Sequence, residues 1–172
     1  MLNIVLFEPE IIENTGNIAR MCVGFNARLH LIRPYGFILR TDKFNKDFIR
    51  TATNHLDNLE LFEYDDFEEF IQANNVDKNQ IYAFTRYGTK APSDYVYQNI
   101  NESDVFLLFG KESTGIDHKI LQAYPQWIRI PSSINLRSLN IANSVAMGLY
   151  EVARQNEYRD LLKYEPHKKF EV

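Results

Sequence analysis

Short apolar runs recur along this chain with helix-sized intervals between them, and that spacing restricts the fold more than any single motif. Asn3–Phe7 (NIVLF), Leu29–Arg33 (LHLIR), Ile81–Thr85 (IYAFT), Val105–Phe109 (VFLLF) and Trp127–Pro131 (WIRIP) read as strands, and Leu59–Tyr64 (LELFEY) as a further, alternating one. An alternating strand has one wet face, whereas a continuous apolar run has none. The runs therefore predict an α/β fold, a mostly parallel sheet with helices on both faces. Helices are expected near Gly16–Phe25, Lys43–Asn54, Asp66–Asn74, Asp117–Ala123 and Leu139–Asn156. In the last, Ile141, Val145, Leu149 and Val152 form one apolar stripe at helical spacing. With 172 residues and no repeat or linker, a single domain over 1–160 and a tail over 161–172 are expected.

The residue inventory removes several function classes. The lone cysteine, Cys22, forms no internal disulfide and shares the apolar phase of Ile18 and Phe25, so it reads as core. Four scattered histidines lack zinc spacing, and no metal is expected. No apolar run approaches a bilayer span, and the first residues lack a basic leader and cleavage site. A cytoplasmic protein without a membrane partner is the expectation. The net charge of −4 weighs against an indiscriminate nucleic-acid binder. Yet charge is uneven: seven acids and no Lys or Arg lie between Asp57 and Glu69, while Arg20, Arg28, Arg33, Arg40, Lys43, Lys46 and Arg50 face only Asp42 and Asp47. A solvated helix face and a local anion-binding face both fit that pattern.

Open parallel sheets bind ligands beyond the carboxyl ends of their strands. Four segments there carry unusual residues: EPEIIENTGNIAR after Phe7, TRYGT after Phe84, GKESTGI after Phe109, and RIPSSINLRSLNIANS leading into the last helix. Standard motifs fail on them. GKESTG lacks the Lys-Ser/Thr pair of a phosphate loop, and Gly110 and Ser113 are one residue too far apart for a nucleophile elbow. Asp117-His118 beside Ser113 suggests a triad, but adjacent Asp and His side chains rarely line up in series. No G-x-G-x-x-G follows the first strand. Gly110, placed after a buried strand, allows backbone to approach a ligand or marks a simple turn. Ser138, Asn140, Asn143 and Ser144 exceed what capping one helix requires. The surplus fits either loop-to-loop ties or a polar ligand.

NTGNIAR (14–20), LLFGKESTGI (107–116) and RIPSSINLRSLNIANSVAMGLYE (129–151), in that order, resemble the three signature blocks of the SPOUT RNA methyltransferases. The likeness extends over nearly the whole chain and is strongest to the small branch that methylates the ribose 2′-oxygen of the wobble nucleotide in tRNA. That resemblance implies a deep C-terminal trefoil knot, an exception to unknotted chains, whose loops hold S-adenosylmethionine. It implies cofactor contacts at Phe84, Thr85, Gly110, Ile130, Ser138, Leu139 and Asn143, and catalytic positions at Arg20 and Glu112. It also implies a homodimer in which the first and last helices pack across the interface, and a tRNA anticodon stem-loop as partner. Cytidine or a carboxymethylaminomethyl-type uridine in tRNA(Leu) isoacceptors would be the target.

A guanidinium is a poor proton acceptor, so Arg20 fits a phosphate or ribose anchor better than a general base. Arg137, beside the expected knot, and Arg129 are candidates for phosphate contact. Tyr150 fits core packing, with contact to substrate RNA as the alternative. Arg20, Arg28, Lys43, Lys46 and Arg50 form a candidate phosphate track. The chain departs from the family at 50–62, RTATNHLDNLELF, where close relatives have a run like R-A-G-L-D-Y-W. Two rivals remain: methylation of another RNA such as rRNA, whose larger enzymes usually carry an added N-terminal domain, and a non-enzymatic RNA-binding relative.

Overall fold

The chain alternates strand and helix: β1 (Leu2–Phe7), α1 (Ile12–Gly24), β2 (Arg28–Ile32), α2 (Lys46–Ala52), β3 (Leu61–Tyr64), α3 (Phe67–Asn74), β4 (Ile81–Phe84), β5 (Val105–Phe109), α4 (His118–Ala123), β6 (Trp127–Ile128) and α5 (Ile141–Gln155). This computed structural model describes residues 1–40, 44–52, 56–97, 99–100 and 102–166. The strands form one six-stranded sheet in the order β3-β2-β1-β5-β4-β6, and every pairing is parallel. All residues of β1, β4 and β5 are buried, which is why those segments are apolar almost without a break. β3, at the edge, is less covered: Phe62 is exposed, and Leu61 and Glu63 are half-buried.

Side chains leave a strand on alternate faces, and two cores result. Leu2, Ile4, Leu6, Leu107 and Phe109 join Ile18 and Cys22 of α1, Phe48 of α2, and Val145, Leu149 and Val152 of α5. On the other face Val5, Phe7, Phe106 and Leu108 meet Phe70 of α3 and Leu121 of α4. The apolar stripe of the last helix is thus core-facing, with Val145, Leu149 and Val152 fully buried. Gly148 allows α5 to lie close on the sheet: a Cβ there would fall 2.9 Å from the Phe84 ring and 3.0 Å from Leu107.

The second core holds one buried polar network. The His30 ring stacks on Phe62 and Tyr64 and meets Phe70 and Phe106 edge-on. Its Nδ1 lies 2.9 Å from the Tyr64 hydroxyl and its Nε2 3.0 Å from Asn3 Oδ1. Asn3 Nδ2 donates to the carbonyls of Met1 and Val105, so its oxygen accepts from His30. The Tyr64 oxygen accepts from Asn74, leaving its proton for Nδ1. Both relations select the neutral Nε2–H tautomer. Burial pushes the imidazole pKa down to about 4.

Element boundaries differ from expectation mainly at polar helix starts. α1 begins at Ile12 rather than Gly16, because Asn14, Thr15 and Gly16 are buried helical residues and no side chain caps the start. β6 is only Trp127–Ile128; residues 129–140 run as a loop. The expected helix over 43–54 is α2; Lys43 and Asn54 lie outside the described residues. After α5 the chain turns back through Tyr158 and Asp160, where the Asp160 carbonyl accepts from Asn26 at the end of α1. The expected tail is described only to Pro166.

The charge asymmetry of the sequence largely cancels in space. β2 and β3 are neighbours, so the arginines of one meet the acids of the other. Arg28 pairs with Glu60 at 2.8 Å, Arg33 with Asp65 at 2.6 Å and Glu63 at 3.0 Å, and Arg40 with Glu63. Arg50 pairs with Asp47 at 3.5 Å. Of the expected phosphate track, Arg28 and Arg50 each have a carboxylate partner, Arg20 and Lys46 form no ion pair among the described residues, and Lys43 lies outside them.

Candidate active site

The strand order reverses between β1 and β5, and the loops leaving these two strands meet at their carboxyl ends. Each loop grips the other. The Glu10 N–H donates to Glu112 Oε2 at 2.9 Å, while the Ser113 N–H and hydroxyl both donate to the Glu10 carboxylate at 2.7 Å. Those Ser113 bonds hold the Glu10 carboxyl below the usual carboxylate range. Lys111 closes the set on Glu8. Ser113 is thereby committed to Glu10, Asp117 caps α4 through the Lys119 N–H at 2.7 Å, and the His118 ring lies against Tyr87. No Ser-His-Asp series forms among them.

A directional relay then ties both loops to the last helix. Glu112 Oε1 accepts from Asn14 Nδ2 at 3.0 Å. A carboxylate only accepts, so Asn14 turns its amine toward it and its oxygen away. That oxygen accepts from Asn140 Nδ2 at 3.1 Å. Asn140 must then present its own oxygen to the start of α5, where it caps the N–H groups of Ala142 at 2.9 Å and Asn143 at 3.4 Å. The Ser144 hydroxyl donates to the Asn140 carbonyl. The polar surplus at this helix start thus serves loop attachment as well as capping.

Between these loops, the β4 loop and residues 128–141 opens a cleft of about 1030 Å³. Phe84, Thr85, Gly110, Glu112, Ile130, Arg137, Ser138 and Leu139 all line it. Asn143 does not: it is exposed, and its main-chain N–H faces Asn140. Tyr150 is 54% exposed, so it is not a core residue, and its hydroxyl accepts from Tyr158 at 2.9 Å. Arg20 sits on the exposed side of α1, outside the cleft, and its guanidinium makes no ion pair or hydrogen bond among the described residues.

Of the two roles open to Gly110, its geometry carries the turn within its own loop: a Cβ there would lie 2.1 Å from the Gly115 carbonyl carbon and 2.2 Å from the Ile116 nitrogen. The sequence marked Asn140 within the polar cluster before α5, but Asn14 and Glu10 were not expected as site-forming residues. Asn14 and Asn140 carried a signal, being polar residues at the starts of helices with apolar stripes, but Glu10 carried none.

Fold and site together define a class: an open parallel α/β sheet with a cleft of mixed polar and apolar lining at its switch point, as enzymes acting on nucleotide-like ligands use. The chain belongs to the SpoU rRNA methylase family, whose profile matches residues 1–150. It is similar to the tRNA (cytidine(34)-2′-O)-methyltransferase of Escherichia coli K12, at 39% identity over 160 residues, covering 92% of this chain and 96% of that protein. A Mycoplasma genitalium protein bearing the same designation provisionally is 42% identical over 164 residues, covering 95% and 96%. Among solved structures, one described under the 2-OH methylation of C/U34 on tRNA superimposes with a TM-score of 0.81 at 32% identity, covering 92% of this chain and 98% of that one.

Proposed function

We propose that this protein methylates the ribose 2′-hydroxyl of the wobble nucleotide of tRNA, using S-adenosylmethionine. The observation that carries this reading is the near full-length likeness to relatives named for that reaction, on a chain whose three matching blocks border one cleft. Cytidine, or a carboxymethylaminomethyl-type uridine, in tRNA(Leu) isoacceptors is the proposed target. A homodimer, a C-terminal trefoil knot and a cytoplasmic location belong to the same reading.

The cleft suits the cofactor. Phe84, Ile130 and Leu139 offer apolar walls for an adenine, and Thr85 and Ser138 offer hydroxyls. The main-chain groups of Ile130, Ser138 and Leu139 find no main-chain partner among the described residues, so they are free to read a heterocycle or ribose. When bound, S-adenosylmethionine would supply an electrophilic sulfonium methyl to the ribose oxygen and would leave as the neutral thioether, with the hydroxyl proton passing to a base or to solvent.

The chain's own residues then supply alignment, which can be worth roughly 7–11 kcal/mol of the barrier. Both Glu112 oxygens accept hydrogen bonds, from Glu10 and Asn14, so Glu112 fixes the loop that walls the reactants. Arg20, unpaired and outside the cleft of its own copy, is proposed to reach the cleft of a second copy and hold the target ribose or its phosphate. Tyr150, exposed on α5, is proposed to contact RNA.

Methyl transfer from labelled cofactor to total tRNA, with the modified nucleoside identified by mass spectrometry, tests the reading. A 2′-O-methylated wobble nucleoside supports it. Label confined to rRNA would favour the alternative that the family description raises, and cofactor binding without transfer to any RNA would leave a non-enzymatic relative.

A further inference from the structure

We infer that Arg86, Arg129 and Arg137, with the Tyr87 ring, form a phosphodiester-binding lip that holds the substrate RNA backbone beside the reacting nucleotide. This rests on the proposed RNA methylation and names the surface that would receive the RNA.

A second hollow of about 490 Å³ adjoins the cleft, and its lining includes these three arginines, Tyr87 and no acidic residue. All four of those residues also line the main cleft, so the two spaces are continuous. The three arginines are exposed. Arg28, Arg33, Arg40, Arg50 and Arg154 each pair with a carboxylate, whereas none of these three does among the described residues. Uncompensated cations gathered on one lip of an otherwise acidic chain create a local positive field that attracts a polyanion.

The lip is held in place before any ligand arrives. The Thr85 N–H donates to the Ile128 carbonyl at 2.8 Å, and Arg129 Nη1 donates to the Arg86 carbonyl at 2.7 Å. Gly88 turns against the same strand, where a Cβ would sit 2.6 Å from the Ile128 carbonyl carbon. Arg86 lies over the Tyr87 ring at 4.9 Å and donates to its hydroxyl at 2.8 Å. A guanidinium held against an aromatic ring is pre-shaped to fork onto phosphate oxygens. A chain of phosphodiesters fits this lip better than a single small anion, because the lip extends away from the cleft that would hold the reacting nucleotide.

Arg86→Gln and Arg86→Lys variants test this, since among the described residues the Arg86 side chain donates only to Tyr87, and its loss leaves the Arg129 contact to the main chain. Binding of a labelled anticodon stem-loop is measured across salt concentrations, with S-adenosylmethionine binding by calorimetry and KM and kcat for tRNA alongside. Arg86→Gln should flatten the slope of log affinity against log salt by about 0.7–0.9 and raise KM about tenfold, with cofactor affinity unchanged. Arg86→Lys should restore the slope by keeping the charge. An unchanged slope in Arg86→Gln overturns the lip. So does a weakened cofactor with an unchanged slope, which would assign Arg86 to the cofactor's carboxylate. If the wild-type protein shows the salt slope and Arg86→Gln flattens it, but no tRNA is methylated, the proposed reaction fails and the lip stands. Robust methylation with an unaltered slope in Arg86→Gln keeps the reaction and removes the lip.

Discussion

Asn140 Nδ2 donates to Asn14 Oδ1 at 3.1 Å across 126 positions of sequence, joining the cap of the last helix to the first turn of the first helix. Glu112 at one end of this relay accepts only, and the α5 N–H groups at the other end donate only, so a flip of Asn14 would break two bonds and a flip of Asn140 three.

Replacing Asn140 separates its two roles. Asn140→Ala removes the cap and the tie to Asn14, and should cost about 1–3 kcal/mol. Asn140→Ser keeps a capping oxygen but is too short to reach Asn14, so it should lose about half as much. Urea denaturation of both variants checks this; equal losses would mean that the capping oxygen contributes nothing beyond the tie.

Glu112→Gln tests the loop clamp. A carboxamide keeps one acceptor oxygen where two are engaged, so either Glu10 or Asn14 loses its partner. A loss of about 1–3 kcal/mol is expected, together with weaker S-adenosylmethionine binding by calorimetry. Stability and binding both at wild-type level would show that the clamp does not shape the cleft.

Gly110→Ala probes how tightly the β5 loop closes on itself. The added methyl meets main-chain atoms of Gly115 and Ile116, which cannot rotate away as a side chain can. A loss of at least about 1–3 kcal/mol is expected, read as a lowered thermal midpoint. An unperturbed midpoint would contradict the close approach.

His30 makes stability depend on pH. Its folded pKa is depressed to about 4 from an ordinary value of 6.5. Below 6.5 the unfolded chain takes up the proton and the folded one does not, so its contribution is intact above pH 6.5 and declines toward pH 4. The decline by about pH 5 should be about 2 kcal/mol. An NMR titration of the His30 ring checks the cause, and a midpoint near 6.5 would remove it.

Arg20→Lys should retain RNA binding while turnover drops about 10–100-fold, because a point charge cannot reproduce a forked contact. Mixing an Arg20→Ala subunit with one inactivated by the Gly110→Val distortion of its β5 loop should recover activity if Arg20 serves the neighbouring copy. Activity no higher than that of the separate variants would place Arg20 in its own subunit's site.

The sequence by itself determined the strands, the parallel sheet and the core stripe of α5, because burial on both faces imposes uninterrupted apolar residues that local reading detects. The motif blocks also marked much of the cleft lining: Gly110, Ile130, Ser138 and Leu139 all reach it, as does Phe84 at the end of β4. Tertiary structure alone decided which charges remain free. Arg28, Arg33 and Arg40 belong to a basic stretch in sequence, yet in the fold they meet Glu60, Asp65 and Glu63, on or beside the neighbouring strand β3. Arg86 and Arg129, 43 positions apart, become neighbours only because β4 and β6 pair side by side. The Glu112–Asn14–Asn140 relay was equally hidden, since hydrogen-bond direction depends on which groups the folded chain sets face to face, and no local pattern of residues encodes that.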